Sequence, residues 1–421
     1  MKYNRTELAE NIGFSSIIDE KFKTAKLSVR FITKLDKESA AANSLGIGVL
    51  SSSNGKYKTL AEINEKLSSL YGASLGTASK KRGDVQMLSL AASWVNNRFT
   101  IDGEDVDGEM LQIVRDCIFA PNAENGEFAA DSFKITKKDL LDRIDAEINN
   151  KRGYALSRAA EVAFEGEPAE LSCYGDRKSV ESVTSSEAFA AYQKFLETAQ
   201  VEIYYISPEE NPAAAEMFKE SFTAVKRDSK AVSFRNISPL HSEVAESSDE
   251  FDVRQCKMVM TFKSDSEDAF AIKLLSAIFG ETPVSKLFVN VREKLSLCYY
   301  CACRVISSKG ALMVDSGVER ENIEKAKEEI LRQLDEIRNG NISDEELESA
   351  MLALENGLEQ IGDTASSYEG WYFERFCEGN AGTPAERLND YRNVTKARIV
   401  QAANSLKLDS IYLMLDKEEA E

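Results

Sequence analysis

The stretch SKLFVNVREKLSLCYYCACRV, Ser285 to Val305, runs from a helix, through a polar turn, into a strand. An earlier stretch, KTLAEINEKLSSLYGASLGTAS from Lys58 to Ser79, makes the same succession. There Thr59 and Glu62 have the spacing of a capping box, and Leu60, Ile63, Leu67 and Leu70 form an apolar stripe. Two such segments in a chain of 421 residues point to an internal repeat.

Outward from these segments the two halves keep step. An alternating strand opens each: AKLSVRFITKL from Ala25 and DVRQCKMVMTFK from Asp252. A helical stretch follows, in the second half AFAIKLLSAIF with Ser264 and Glu267 spaced as a capping box. Beyond the quoted segments come a strand in each half, VQMLSLAASWV from Val85 and GALMVDSGV from Gly310. A helix is next, EMLQIVRDCIF in one half and IEKAKEEILRQLDEI in the other, the latter stopped by Gly340. Long helical regions cover Asp131–Phe164 and Ser343–Phe376, the second opening on Ser343-x-x-Glu346. A further helix leads into a last strand, QVEIYYI ending at Ile206 and LDSIYLML ending at Leu415. The order β-α-α-β-α-α-α-β thus occurs twice. Alternation in the strands predicts sheets with one buried face. The fold class is α+β, with one domain over 1–224, a polar linker over 225–248 and a second domain over 249–421.

Composition narrows the function. At 43% hydrophobic and 29% charged, the chain has ample material for large cores. Its net charge of −19 argues against nucleic-acid and anionic-membrane partners, which need a basic face. No run approaches the ~18 apolar residues that span a bilayer, and MKYNRTELAENIGFSS lacks the apolar core of a signal peptide. Seven scattered cysteines do not read as a disulfide framework. The expected setting is a reducing cytoplasm.

The residues S-K-L-F-V-N-V-R-E-K-L-S-L-C-Y from Ser285 resemble the C-terminal signature of the pitrilysin/insulinase-type zinc peptidases, which reads like S-R-L-F-x-x-V-R-E-K-x-G-L-A-Y. The match covers Ser285, Leu287, Phe288, Val291, Arg292, Glu293, Lys294, Leu297 and Tyr299. Ser296 replaces a glycine and Cys298 a small residue. The resemblance implies two homologous domains, each a mostly antiparallel sheet backed by helices, facing across a cavity as a clamshell. It also implies that Arg292 and Tyr299 contact a bound peptide. An arginine offers a planar fork of donors and a tyrosine one O–H, which together suit a peptide carbonyl or the oxyanion formed from it. The glycine-rich loop of the non-catalytic subunit of the mitochondrial processing peptidase is absent, since FGETPVSK holds only Gly280. Within the family, the chain is similar to the degenerate peptidase-like proteins associated with elongation factor P modification in Firmicutes.

Active members of that family carry His-x-x-Glu-His on a helix. This chain has one histidine, His241, and so cannot contain the motif. The resemblance places it within NSLGIGVLSSSNG, Asn43 to Gly55, with Ile47 and Ser51 at the histidine positions and Leu50 at the catalytic glutamate. The third ligand would come from KKDLLDRIDAEINN, where Asp142, Asp145 and Glu147 read as a solvated helix face. Cys298, Cys301 and Cys303 fall on a strand, so Cys301 and Cys303 should share a face and Cys298 oppose them, all as small buried hydrophobes. His241 reads as an exposed linker residue, and Gly46-x-Gly48 lacks the rest of a phosphate loop. The expectation is a bacterial protein with no catalytic residue, metal or cofactor of its own. It would be the non-catalytic subunit of a heterodimer with a zinc-bearing homologue, closing the chamber and contacting peptide. Two other readings are a homodimeric peptide-binding scaffold and an active metallopeptidase of unorthodox chemistry. Metal analysis and a cleavage assay separate them.

Overall fold

The computed structural model describes residues 1–101 and 103–417. In chain order, the strands of the first half are β1 (Lys2–Ala9), β2 (Ile12–Ile18), β3 (Thr24–Lys34), β4 (Ser74–Arg82) and β5 (Val85–Val95), then a two-residue pair, β6 (Ala123–Glu124) and β7 (Glu127–Phe128), and β8 (Gln200–Ser207). Six of them form one sheet in the order β1-β2-β8-β3-β5-β4. The second half supplies β9 (Ala245–Phe251), β10 (Cys256–Lys263), β11 (Cys298–Ile306), β12 (Ala311–Val318) and β13 (Lys407–Asp416). These pair in the order β11-β12-β10-β13-β9. Apart from β1, the two orders are the same. Each has one parallel pair, β2 with β8 and β9 with β13, and the other neighbours are antiparallel. The repeat read from sequence is therefore a repeat of topology.

Three strands of the two large sheets escaped the sequence pattern, as did the short pair β6 and β7. β1 and β2 precede Ala25, and β9 lies partly inside the expected linker. β1 and β9 are rich in Lys, Arg, Glu, Asp and Ser, so they lack apolar alternation and take their conformation from backbone pairing.

Alternation in β3 sends Ala25, Leu27, Val29 and Phe31 into the first core, beneath helices Ala40–Val49, Val106–Phe119 and Ser185–Thr198. Lys26, Ser28 and Arg30 point the other way, to Glu369. In β10, Cys256, Met258, Met260 and Phe262 face the second core, with helices Ala269–Ser276 and Ile323–Arg338. Val259 faces a separate cluster with Tyr412 and Met414 of β13 and helix Lys151–Ala163. Ala155, Ala159 and Ala163 recur every fourth residue on that helix, a small-residue stripe that lets it lie close on the sheet. Hence the one-faced burial expected from alternation does not hold for the second sheet.

The chain divides into two compact units: Met1–Ala146, Leu171–Ser233 and Thr364–Trp371 in one, and Glu147–Glu170, Phe234–Asp363 and Tyr372–Glu421 in the other. Each unit takes one segment from the opposite half of the sequence. No helix among the described residues is long and apolar enough to cross a membrane.

Local signals fare unevenly. Thr59 accepts from the Glu62 backbone N–H, and Ser343 and Glu346 form a reciprocal capping box. Helix Ala269–Ser276 is capped by Asp268 rather than Ser264, because the helix starts one turn later than the Ser-x-x-Glu spacing placed it. Ile63, Leu67 and Leu70 are buried as a stripe, while Leu60, in the first turn, is 38% exposed. Gly340 closes its helix in the left-handed region, at φ +82°.

Candidate functional site

The segment where a metal motif would lie is embedded between helices. Helix Ala40–Val49 is built from small residues, and its two glycines are spacers. A Cβ on Gly46 would stand 2.8 Å from the Ala188 carbonyl oxygen, and one on Gly48 2.6 Å from Thr136 Cγ2. Gly46-x-Gly48 thus serves close packing. Ile47 and Leu50 are fully buried members of the first core. Ser51 is half-buried, its Oγ 3.4 Å from both the Gly48 carbonyl and Thr77 Oγ1 on β4. Ser52 reaches Thr136 at 3.3 Å, and Ser53 reaches Ser132 at 2.7 Å.

A cleft of about 270 Å³ opens over this segment in the first unit, with Ser51, Ser52, Thr77, Thr136, Asp139 and Arg143 on its walls. Asp139 and Arg143 come from helix Ala130–Ala146. Asp142 pairs with Lys138 at 2.7 Å, Asp145 pairs with Arg177, and Glu147 belongs to the second unit. None of those three lines the cleft. Aliphatic carbon and neutral hydroxyls are poor zinc ligands, and no group of three His, Cys, Asp or Glu with metal-binding geometry occurs among the described residues. The positions do not fit zinc. What the cleft offers is hydrogen bonding from hydroxyls, one carboxylate and one guanidinium, the last lying over the Tyr174 ring at 5.7 Å. Apart from Ser51, sequence pattern did not single out these hydroxyls, since Ser and Thr alone carry no spacing signal.

The second half arranges its counterpart differently. Helix Leu287–Lys294 is wound as a π-helix, so the Leu295 N–H reaches the Asn290 carbonyl at 3.2 Å. Such winding is rare and occurs frequently at functional sites. Arg292 is 41% exposed on its side chain, lies over the Phe288 ring at 4.6 Å and approaches Glu293 at 3.5 Å. Ser296 sits in the left-handed region at φ +49°, in the place where the resembling family has glycine. Glycine adopts that conformation without strain, whereas here a serine carries it. β11 then starts at Cys298 along the edge of its sheet. Tyr299 is 66% exposed there, and it shares no hydrogen bond with Arg292. Tyr300 is instead tucked against Arg152, whose guanidinium lies 4.4 Å from the ring centroid; burial, then Asp315, pushes its phenol up.

Two readings of single residues change. The ladder between β11 and β12 shifts register between Cys298 and Tyr300. That bulge turns Cys298 onto the same buried face as Cys301 and Cys303, where strict alternation would oppose it. His241 is not a free linker residue. Its backbone N–H and Nδ1 lie 2.9 and 3.1 Å from the two carboxylate oxygens of buried Asp409, which also pairs with Lys263 at 3.1 Å.

The doubled sheet of this order carries carbon and hydroxyl side chains at Ile47, Leu50 and Ser51, the positions that the resemblance assigns to a metal motif. The family model described as the peptidase M16 inactive domain matches residues 182–354. The probable inactive metalloprotease YmfF of Bacillus subtilis is 27% identical over 406 residues, covering 95% of each chain. A crystal structure of a conserved protein from Enterococcus faecalis V583 superposes with a TM-score of 0.91 at 26% identity, over all of both chains. The peptidase M16 inactive domain from Pseudomonas fluorescens has the same fold, with a TM-score of 0.80 at 16% identity, over 100% of this chain and 99% of that one. The chain is thus similar, over residues 182–354 in sequence and over its whole length in fold, to inactive members of the M16 peptidase family.

Proposed function

We propose that the chain is the non-catalytic subunit of a divided peptidase in the bacterial cytoplasm. It pairs with a zinc-bearing homologue, closes the chamber and holds peptide, while the partner cuts. The observation that carries this reading is an asymmetry between the halves. Ile47 and Leu50 are sealed into a core, whereas Arg292 and Tyr299 remain exposed around a π-wound helix and an edge strand. An edge strand has unpaired backbone groups that an extended peptide can join, and an arginine–tyrosine pair beside it can hold a carbonyl. Co-expression with a zinc-bearing homologue tests the pairing; recovery of this chain alone, without the homologue, counts against it. In the mixed complex, Arg292→Ala is expected to lower peptide turnover about 10²–10³-fold, the usual effect of removing one oxyanion donor, while assembly is retained. Unchanged turnover would remove Arg292 from the site.

A further inference from the structure

β11 carries three cysteines, Cys298, Cys301 and Cys303, all free thiols on one buried face of an edge strand. Across the ladder Cys298 faces Val318, Cys301 faces Ser316 and Cys303 faces Val314. Cys298 and Cys301 are three apart in the chain, yet the bulge at Tyr299 makes them neighbours on one face. Same-face neighbours on a regular strand stand about 6.6–6.8 Å apart, at the upper limit of about 6.8 Å for Cα atoms joined by a disulfide. A bulge bends the strand and increases its twist, so the spacing of adjacent side chains departs from that of a regular strand. Their partners across the ladder, Val318 and Ser316, are two residues apart, so the two cysteines stand one same-face step apart. Cys303 has no such bend beside it, and its sulfur is engaged with the Ser276 carbonyl at 3.0 Å.

We propose that Cys298 and Cys301 are a reversible dithiol switch, oxidised by a peroxide to a disulfide that closes around Tyr299. The Cys298 thiolate attacks one peroxide oxygen, breaks the O–O bond and becomes a sulfenic acid, the second oxygen leaving as hydroxide and then water. Cys301 sulfur attacks the sulfenic sulfur, its proton leaves with the departing hydroxide as water, and the S–S bond forms. One peroxide is reduced to two waters as two thiols are oxidised. The roles follow the surroundings. The neighbouring Cys301 thiol holds the Cys298 thiol below its ordinary range against the opposing cost of burial, and the Arg292 charge adds to the hold. Proximity to Cys298 and burial lift Cys301 well above its range. Burial pushes Cys117 and Cys303 up to about 12, so neither competes as a nucleophile.

The disulfide stands on the strand geometry alone; that it would alter peptide binding rests on the function proposed above. The test is to treat the reduced full-length protein with hydrogen peroxide, count thiols and map them by mass spectrometry. The expected result is loss of two of the seven thiols, with the peptide holding Cys298 and Cys301 short of two hydrogens and restored by dithiothreitol. Cys298→Ala and Cys301→Ala should each abolish that product, and Cys303→Ala should keep it. The proposal is overturned if the wild-type peptide stays reduced while other cysteines oxidise, or if it gains oxygen atoms without losing hydrogens. The wild-type map decides the matter should a variant fail to fold. Peptide affinity measured on both redox forms is a separate readout. An affinity that does not change leaves the disulfide standing and counts against the peptide role of Tyr299.

Discussion

On the first sheet, Lys26, Ser28 and Arg30 of β3 converge on one carboxylate, Glu369, with Lys26 Nζ at 2.7 Å and Arg30 Nε at 3.1 Å. On the second sheet the charges are reversed. Asp315 of β12 accepts from Arg152 at 3.2 Å and from Arg304 at 3.4 Å, and Asp249 of β9 accepts from Arg158 at 3.1 Å and from the Tyr412 hydroxyl at 3.0 Å. The strand orders coincide, so topology has been kept while the polarity of the second face has not. One anion serves three side chains in the first case, and each anion has more than one donor in the second. The edge segments diverge in the same manner. Helix Leu60–Ser69 is an ordinary α-helix with a Thr59 cap, whereas Leu287–Lys294 is π-wound, has no side-chain cap and leads into a strained Ser296 and a bulge.

The charge comparison breaks most sharply at Glu369. Glu369→Ala should cost about 3–5 kcal/mol, the range for removing one partner from a buried ion pair, seen as a lower urea midpoint. Arg152→Ala should cost only about 1–2 kcal/mol. Arg304 still reaches Asp315, Arg152 is itself half-exposed, and the main loss is its stacking on Tyr300. Equal losses would mean that the reversed charges make no energetic difference.

Acid should erase the distinction. Burial raises the Glu369 carboxyl, but Arg30 and Lys26 outweigh it and leave the group below its ordinary range. A depressed carboxylate contributes stability above the unfolded value, about 4.3, and that contribution disappears as pH falls through the lower folded value. The gap in unfolding midpoint between wild type and Glu369→Gln should therefore be full at neutral pH and close progressively below about pH 4.3. A gap that is constant with pH would show that the ionised form is not what holds the segment.

The edge segments give smaller effects of opposite sign. Thr59→Ala removes a cap and should cost about 1 kcal/mol. Ser296→Gly relieves a left-handed residue and should gain about 0.5–1 kcal/mol in thermal or denaturant unfolding. Stabilisation at Ser296 together with reduced turnover in a mixed complex would tie the strain to peptide handling.

Much of this was legible beforehand for a physical reason. β3 and β10 bury one face against helices, so their alternation survives in the residues, and Thr59 and Ser343 mark helix starts through short-range hydrogen bonds. The absence of His-x-x-Glu-His needed only a count of histidines. What stayed hidden depends on long-range pairing. β1 and β9 are polar strands whose only cue is a neighbour. The alanine stripe of helix Lys151–Ala163 says that something lies close by, without saying that it is the second sheet. The position of Cys298 turned on a single inserted residue, and the grip of Asp409 on His241 joins residues 168 apart in the chain.

The segment Glu147–Glu170 lies in the first half of the sequence and is part of the second unit, while Thr364–Trp371 does the reverse. On the ribosome, the first sheet can pair all its strands once Ser207 has emerged, yet its Lys26 and Arg30 must wait for Glu369, more than 150 residues later. Helix Lys151–Ala163 likewise waits for the strands beneath it, which begin at Cys256, Ala311 and Lys407. Cutting the gene at the boundary between the repeats would leave each product short of a segment it needs. The two halves look like separable domains on paper, but they must be synthesised together to be finished.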